Sequence, residues 1–292
     1  MPTQPADTVE PVVQRLRALV QDSPDLKDAA QVYETLLPIL HDADLHAAPV
    51  SITLDQVRAK MEMGLPLLHD LDLEYDGQAI RELMLQLARA LSPMRAQDWP
   101  QKRWHQIRLA IEENELNVSA LLPLVAAGKR DAAAFMARSL RLDPDLVWTL
   151  AQNALKPALR AWRRQLAPLA EEMPWHKGYC FICGARATLG ELQENDQVKH
   201  LRCGQCGADW PFRRLQCMDC GNEDHNTLSY LYPDGQREKM RVEVCDKCHG
   251  YLKVIAAFTP TPPEMLPVED LATLHLDYIA QERGYARGPV QH

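Results

Sequence analysis

The first 179 residues contain no cysteine, and up to about Pro174 glycine is scarce as well. Such a stretch has no disulfide or metal staple and few turn-forming residues, so it has to fold by packing regular elements on one another. No segment approaches the roughly 18 uncharged apolar residues that a spanning helix needs. Met1 to Asp22 lacks the apolar core, basic flank and small cleavage-site residues of a secretion signal, which leads us to expect a cytoplasmic protein with no membrane insertion. An excess of positive charge is also missing. The formal net charge is −8, so the surface as a whole repels phosphate backbones and anionic lipids, and nucleic acid is not an expected partner. There is no phosphate-binding glycine loop, no H-E-x-x-H and no serine in a nucleophile elbow, so no catalytic constellation is expected and the chain reads as a non-enzyme.

What is present first is helical periodicity. Between Asp76 and Leu91 the residues Ile80, Leu83, Met84, Leu87, Ala88 and Leu91 fall on one stripe of an amphipathic helix. Similar stripes run through Val12, Val13, Leu16, Leu19 and Val20 and through Val32, Leu36, Leu37 and Leu40, with Ser23-Pro24 as a stop between them. Further helices are expected over Lys102–Glu113, Ser119–Ala127 and Asp131–Leu140, with a long one from near Asp145. Pro157 and Pro168 should kink or end that last helix, since proline removes a backbone donor and clashes with the preceding turn. Residues 1–174 are therefore expected to form a helical domain.

At Pro174 the texture changes. All eight cysteines lie between Cys180 and Cys248, each in a C-x-x-C pair: Cys180/Cys183, Cys203/Cys206, Cys217/Cys220 and Cys245/Cys248. Two thiolates three residues apart on a tight turn can face one cation and leave half its tetrahedron to a second such turn. Gly184, Gly207 and Gly221 follow three of the pairs and suit a backbone that curls back to aim an amide at sulfur, while the fourth is followed by His249-Gly250. The order repeats: turn, strand-rich insert, turn, aromatic residue. In the second copy the insert reads as a hairpin, Thr227–Tyr232, a turn at Pro233-Asp234-Gly235, then Met240, Val242 and Val244 in alternation. The expected architecture is α+β: the helical domain, a first rubredoxin-like or zinc-ribbon module over 175–212, a second over 213–258, and a proline-rich link with a closing helix over 259–292. A strand from Tyr251 precedes that link, and the helix, Val268–Arg283, presents Leu271, Leu274, Leu276, Tyr278 and Ile279. Ligation within each copy is favoured because only ten residues, Gly207 to Gln216, separate the two; interleaved ligation stays open.

Other uses of these cysteines fit less well. Structural disulfides are disfavoured in a reducing compartment. A thioredoxin-type pair accounts for one C-x-x-C and not four. Cys245-Asp-Lys-Cys248-His249 satisfies the haem-attachment pattern, but the other pairs lack the histidine. Four thiolates accept iron or zinc alike. His176, His200, His225 and His249 are placed to act as donors to sulfur. From Glu171 to Ile255 there are 11 Lys and Arg against 13 Asp and Glu, and eight thiolates with two divalent metals add −4, which disfavours a zinc-ribbon regulator of nucleic acid.

Three segments carry a family resemblance: Trp175-His-Lys-Gly-Tyr-Cys180, Val244-Cys245-Asp-Lys-Cys248-His249-Gly250-Tyr251-Leu252-Lys253, and Glu269-Asp270-Leu271-Ala272-Thr273-Leu274-His275-Leu276-Asp277. With four C-x-x-C pairs behind a helical half, the chain resembles the formate dehydrogenase accessory protein FdhE family. It departs from that pattern at Phe181-Ile182, where proline would lead. The resemblance implies a cytoplasmic assembly factor for respiratory formate dehydrogenase, acting on the catalytic subunit that carries molybdenum or tungsten cofactor and an iron-sulfur cluster. It also implies two metal ions held by the eight cysteines, with iron favoured and zinc the alternative. A rubredoxin-like electron-transfer or redox-sensing protein is the other reading.

Overall fold

The apolar stripes fold as helices whose buried residues are the ones the spacing selects. The computed structural model describes residues 9–43, 48–71, 73–94, 100–233, 235 and 239–288. Helix α1 (Glu10–Asp22) buries Val12, Leu16 and Leu19, and α2 (Lys27–Asp42) buries Leu36, Leu37 and Leu40, with a short 3-10 turn at Pro24–Leu26 where Ser23-Pro24 interrupts the pattern. Helix α3 (Leu54–Met63), which the periodicity did not single out, starts with a capping box between Thr53 and Gln56 and ends on Gly64 in the left-handed region. Helix α4 (Gly77–Leu91) is capped by Asp76 and buries all six residues of its stripe, together with Leu85. Helices α5 (Gln101–Glu112), α6 (Val118–Ala126), α7 (Arg130–Ser139) and α8 (Pro144–Leu166) follow. Pro157 does not end α8: buried Ala154, Leu155, Ala158 and Leu159 flank it on both sides, and packing holds the helix through the missing hydrogen bond. The helix stops before Pro168, in a 3-10 turn at Ala167–Ala170.

Two compact units result. One comprises Met1–Leu45 and Asp76–Pro157, the other His46–Tyr75 and Ala158–His292. The segment carrying α3 thus belongs with the cysteine region, although it lies inside the first 174 residues.

In the second unit the two cysteine repeats share one sheet. Its strands are β1 (Leu189–Gln193), β2 (Val198–Arg202), β3 (Asp209–Pro211), β4 (Leu228–Leu231), β5 (Met240–Cys245) and β6 (Tyr251–Ala257), in the order β3-β2-β1-β6-β5-β4. Each repeat supplies an antiparallel set, and the two are joined by β1 and β6, which run parallel with Glu191 opposite Ile255. The β4–β5 hairpin lies where alternation put it; its expected turn falls partly outside the described residues.

The expected closing helix is two helices, α9 (Leu266–Ala272) and α10 (Leu274–Glu282), broken at Thr273, whose hydroxyl bonds back to the carbonyls of Glu269 and Asp270. The break re-aims the face. Leu276 and Ala280 pack against Val242, Val244 and Tyr251, while Tyr278 is exposed. Asp277 points inward, accepting from Lys253 Nζ at 2.6 Å and from the Tyr251 hydroxyl at 2.6 Å. Elsewhere in the sheet Arg202 pairs with Glu191 at 2.5 Å and Lys199 with Glu243 at 2.9 Å. Each buried charge has an opposite partner, which offsets its desolvation.

Candidate metal centres

Each C-x-x-C folds as the same turn. The amide of the residue directly after the second cysteine closes onto the first cysteine's carbonyl: Gly184 to Cys180 at 2.9 Å, Gly207 to Cys203 at 2.9 Å, Gly221 to Cys217 at 3.0 Å and His249 to Cys245 at 2.8 Å. Closing the turn requires a left-handed residue, and the four have φ of 76°, 78°, 70° and 54°. Glycine adopts this conformation without penalty; His249 takes it as a non-glycine residue. The amides of Gly184, Gly207 and Gly221 thus bond carbonyl oxygen, where the spacing predicts sulfur. Amides that do reach sulfur include those of Ile182 to Cys180 at 3.4 Å, Cys206 to Cys203 at 3.5 Å and Gly250 to Cys248 at 3.4 Å.

The turns meet in pairs within each repeat. The sulfurs of Cys180, Cys183, Cys203 and Cys206 form one group and those of Cys217, Cys220, Cys245 and Cys248 another, each with all four atoms within 4.8 Å of one another. The short edges are 3.5 Å for Cys180–Cys206, 3.6 Å for Cys183–Cys203, 3.6 Å for Cys217–Cys248 and 3.8 Å for Cys220–Cys245. A tetrahedral centre with metal–sulfur bonds of about 2.3 Å has edges of about 3.8 Å, so both groups fit a thiophilic cation in size and in donor chemistry. With four protein donors each, the centres offer no position for water or substrate.

None of the eight cysteines is joined in a disulfide. In the first group burial pushes Cys180 and Cys206 far above the ordinary thiol range, while Cys203, which accepts from Cys180, Cys183 and Cys206, is held far below it. In the second, burial raises Cys217 and pushes Cys248 up to about 11. Burial acts on Cys245 in the same sense, but the amides of Cys248 and Lys247 and the Asn222 side chain lower it. In each group one cysteine, Cys203 or Cys245, is thus shifted toward the thiolate, and cation binding displaces thiol protons.

Asn222, which sequence reasoning missed, donates its Nδ2 to Cys245 sulfur at 3.5 Å. Among the histidines expected near sulfur, His200 instead pairs with Asp209 at 2.5 Å, and the His249 ring lies 6.0 Å from that of Tyr285. The two groups are tied by a side-chain pair that spacing gave no sign of. Arg186, just past the first turn, makes a two-pronged contact with Asp219, inside the third, at 2.7 and 2.8 Å, and also donates to the Tyr251 carbonyl at 2.7 Å.

Helices followed by one sheet bearing two four-cysteine groups define a protein built around a pair of metal-binding clusters. The sequence profile described as "FdhE, C-terminal domain" matches residues 215–292. The chain is 29% identical over 120 residues to "Protein FdhE homolog" of Aquifex aeolicus, covering 40% of this chain and 42% of that protein. It is 34% identical over 111 residues to "Protein FdhE homolog" of Stutzerimonas stutzeri, covering 37% of this chain and 35% of that protein. The matched segment thus spans less than half the length of either relative. The crystal structure of the FdhE protein from Pseudomonas aeruginosa superposes with a TM-score of 0.61 at 24% identity, covering 98% of this chain and 95% of that one, a likeness of fold. Residues 215–292 thus resemble the C-terminal domain of the FdhE family. No helix among the described residues is long and apolar enough to cross a membrane.

Proposed function

We propose that this protein is a cytoplasmic maturation factor for respiratory formate dehydrogenase, which binds the catalytic subunit through the domain that carries the two cysteine groups. The carrying observation is the pair of complete four-sulfur groups on a shared sheet, in a region whose C-terminal part matches the FdhE profile. Cys180, Cys183, Cys203 and Cys206 hold one metal ion and Cys217, Cys220, Cys245 and Cys248 a second, iron or zinc. A bound ion staples a small domain, and a centre saturated by thiolates supports a structural or recognition role over hydrolysis. The factor itself does not oxidise formate.

Deleting the gene in its host should abolish active exported formate dehydrogenase while its transcript persists, and the catalytic subunit should co-purify with the wild-type chain. A deletion strain with normal enzyme levels sinks the reading, as does purified protein that turns over formate. A rubredoxin-like electron carrier is the second reading, favoured by the exposure of Cys248; it requires an iron-loaded sample that is reduced and reoxidised reversibly.

A further inference from the structure

The two cysteine groups are alike in geometry and unlike in cover. In the first, Cys180, Cys203 and Cys206 are all 0% exposed and Cys183 is half-buried. Its turns are roofed by segments distant in the chain. Leu67 and Leu68 donate their amides to the carbonyls of Phe181 and Ile182, inside the Cys180–Cys183 turn, at 2.7 and 3.0 Å. The Tyr179 hydroxyl just before that turn reaches the Gly64 carbonyl at 2.7 Å. Over the Cys203–Cys206 turn lies Pro263, close enough that a Cβ on Gly207 would sit 2.6 Å from the proline Cβ. Thr188 closes the remaining side by accepting from the Gly204 amide at 3.0 Å.

The cover of the second group is one-sided: Gly178 lies against Met218 and Gly288 against Asp219 in the third turn, and the Ala286 amide bonds the His249 carbonyl beside the fourth. Cys217 and Cys245 are buried, but Cys220 is half-buried and Cys248 exposed. A Cβ on Gly221, the residue that completes the third turn, would meet nothing within 4 Å. The group is therefore held from the inner side, through Arg186, Asp219 and Asn222, and faces solvent along its Cys220–Cys248 edge.

We propose that the second centre is the one that takes up and releases its metal, while the first keeps its ion as a permanent part of the fold. This rests on the reading that both groups bind metal. Replacing a thiolate at a four-coordinate ion requires an incoming soft donor to reach the metal. At the second centre, a bond from an incoming thiolate to the ion forms as the Cys248 or Cys220 sulfur bond breaks; the departing thiolate takes a proton from solvent, and the ion keeps its charge. At the first centre three of the four cysteines have no exposed surface and sit in turns covered by Leu67, Leu68 and Pro263.

The test uses the full chain loaded with two equivalents of Zn(II), challenged with a chromogenic chelator and quenched by alkylation during the reaction. Release should occur in two phases of one equivalent each. Peptide mass spectrometry after the first phase should find label on Cys217, Cys220, Cys245 and Cys248, with Cys180, Cys183, Cys203 and Cys206 protected. Release of both equivalents in one phase overturns the proposal, as does early label on the Cys180–Cys206 set. A chain that binds fewer than two equivalents overturns the metal reading beneath it. Loss or retention of formate dehydrogenase maturation in a deletion strain bears on the function alone and leaves this result untouched.

Discussion

Replacing Arg186 with alanine leaves the Asp219 carboxylate enclosed without its guanidinium. The side chains are 13% and 6% exposed, and the contact is two-pronged with a third bond to the Tyr251 carbonyl. Removing one partner of a buried ion pair costs about 3–5 kcal/mol, whereas replacing both by groups of similar shape costs far less. At about 1.4 kcal/mol per tenfold, Arg186→Ala should lower the ratio of folded to unfolded molecules by roughly two to three and a half orders of magnitude. Urea unfolding, followed by tryptophan fluorescence, should show the midpoint falling for Arg186→Ala and partly recovering in Arg186→Met/Asp219→Leu. Because Asp219 lies between Cys217 and Cys220, chelator competition should show the second centre weakened more than the first. A wild-type midpoint in Arg186→Ala, or a double variant no better than the single one, would refute the account of this pair as the tie between the two repeats.

Cys183→Ala should remove one metal equivalent and leave the Cys217–Cys248 centre loaded, as metal analysis after gel filtration will show; loss of both without unfolding would mean the centres are not separate. The Asp277 carboxyl is driven up by burial but held below the ordinary carboxylate range by hydrogen bonds from Lys253 and Tyr251 and by the Arg287 guanidinium. Its contribution is therefore fully present above the unfolded value of about 3.9 and is lost as pH falls through the folded one. Urea midpoints between pH 7 and pH 3 should accordingly fall more steeply in wild type than in Asp277→Asn. Gly207→Ala, at φ 78° and against Pro263, should destabilise more than Gly221→Ala, at φ 70° in open space, for which left-handed strain of about 1–2 kcal/mol is the main cost. Equal melting losses would show that Pro263 does not roof the first centre.

What the sequence determined by itself is what short-range geometry controls. The C-x-x-C turns close through hydrogen bonds between near neighbours, so their positions and their grouping by repeat were legible from spacing and from Gly184, Gly207 and Gly221. The stripe from Ile80 to Leu91 was legible for the same reason, since helical periodicity places those residues on one face whatever they meet. Tertiary structure decided the rest. The parallel pairing of β1 with β6 fuses the repeats into one sheet, and no local pattern announces a hydrogen-bonded neighbour that far along the chain. The burial of Glu191, Lys199, Arg202, Lys253 and Asp277 is not legible in sequence, because burial of a charge depends on a partner that only folding delivers. The unequal cover of the two centres is of the same kind: Gly207 and Gly221 each follow a C-x-x-C pair, and the arrival of Pro263 over one of them is a tertiary event that the spacing does not announce.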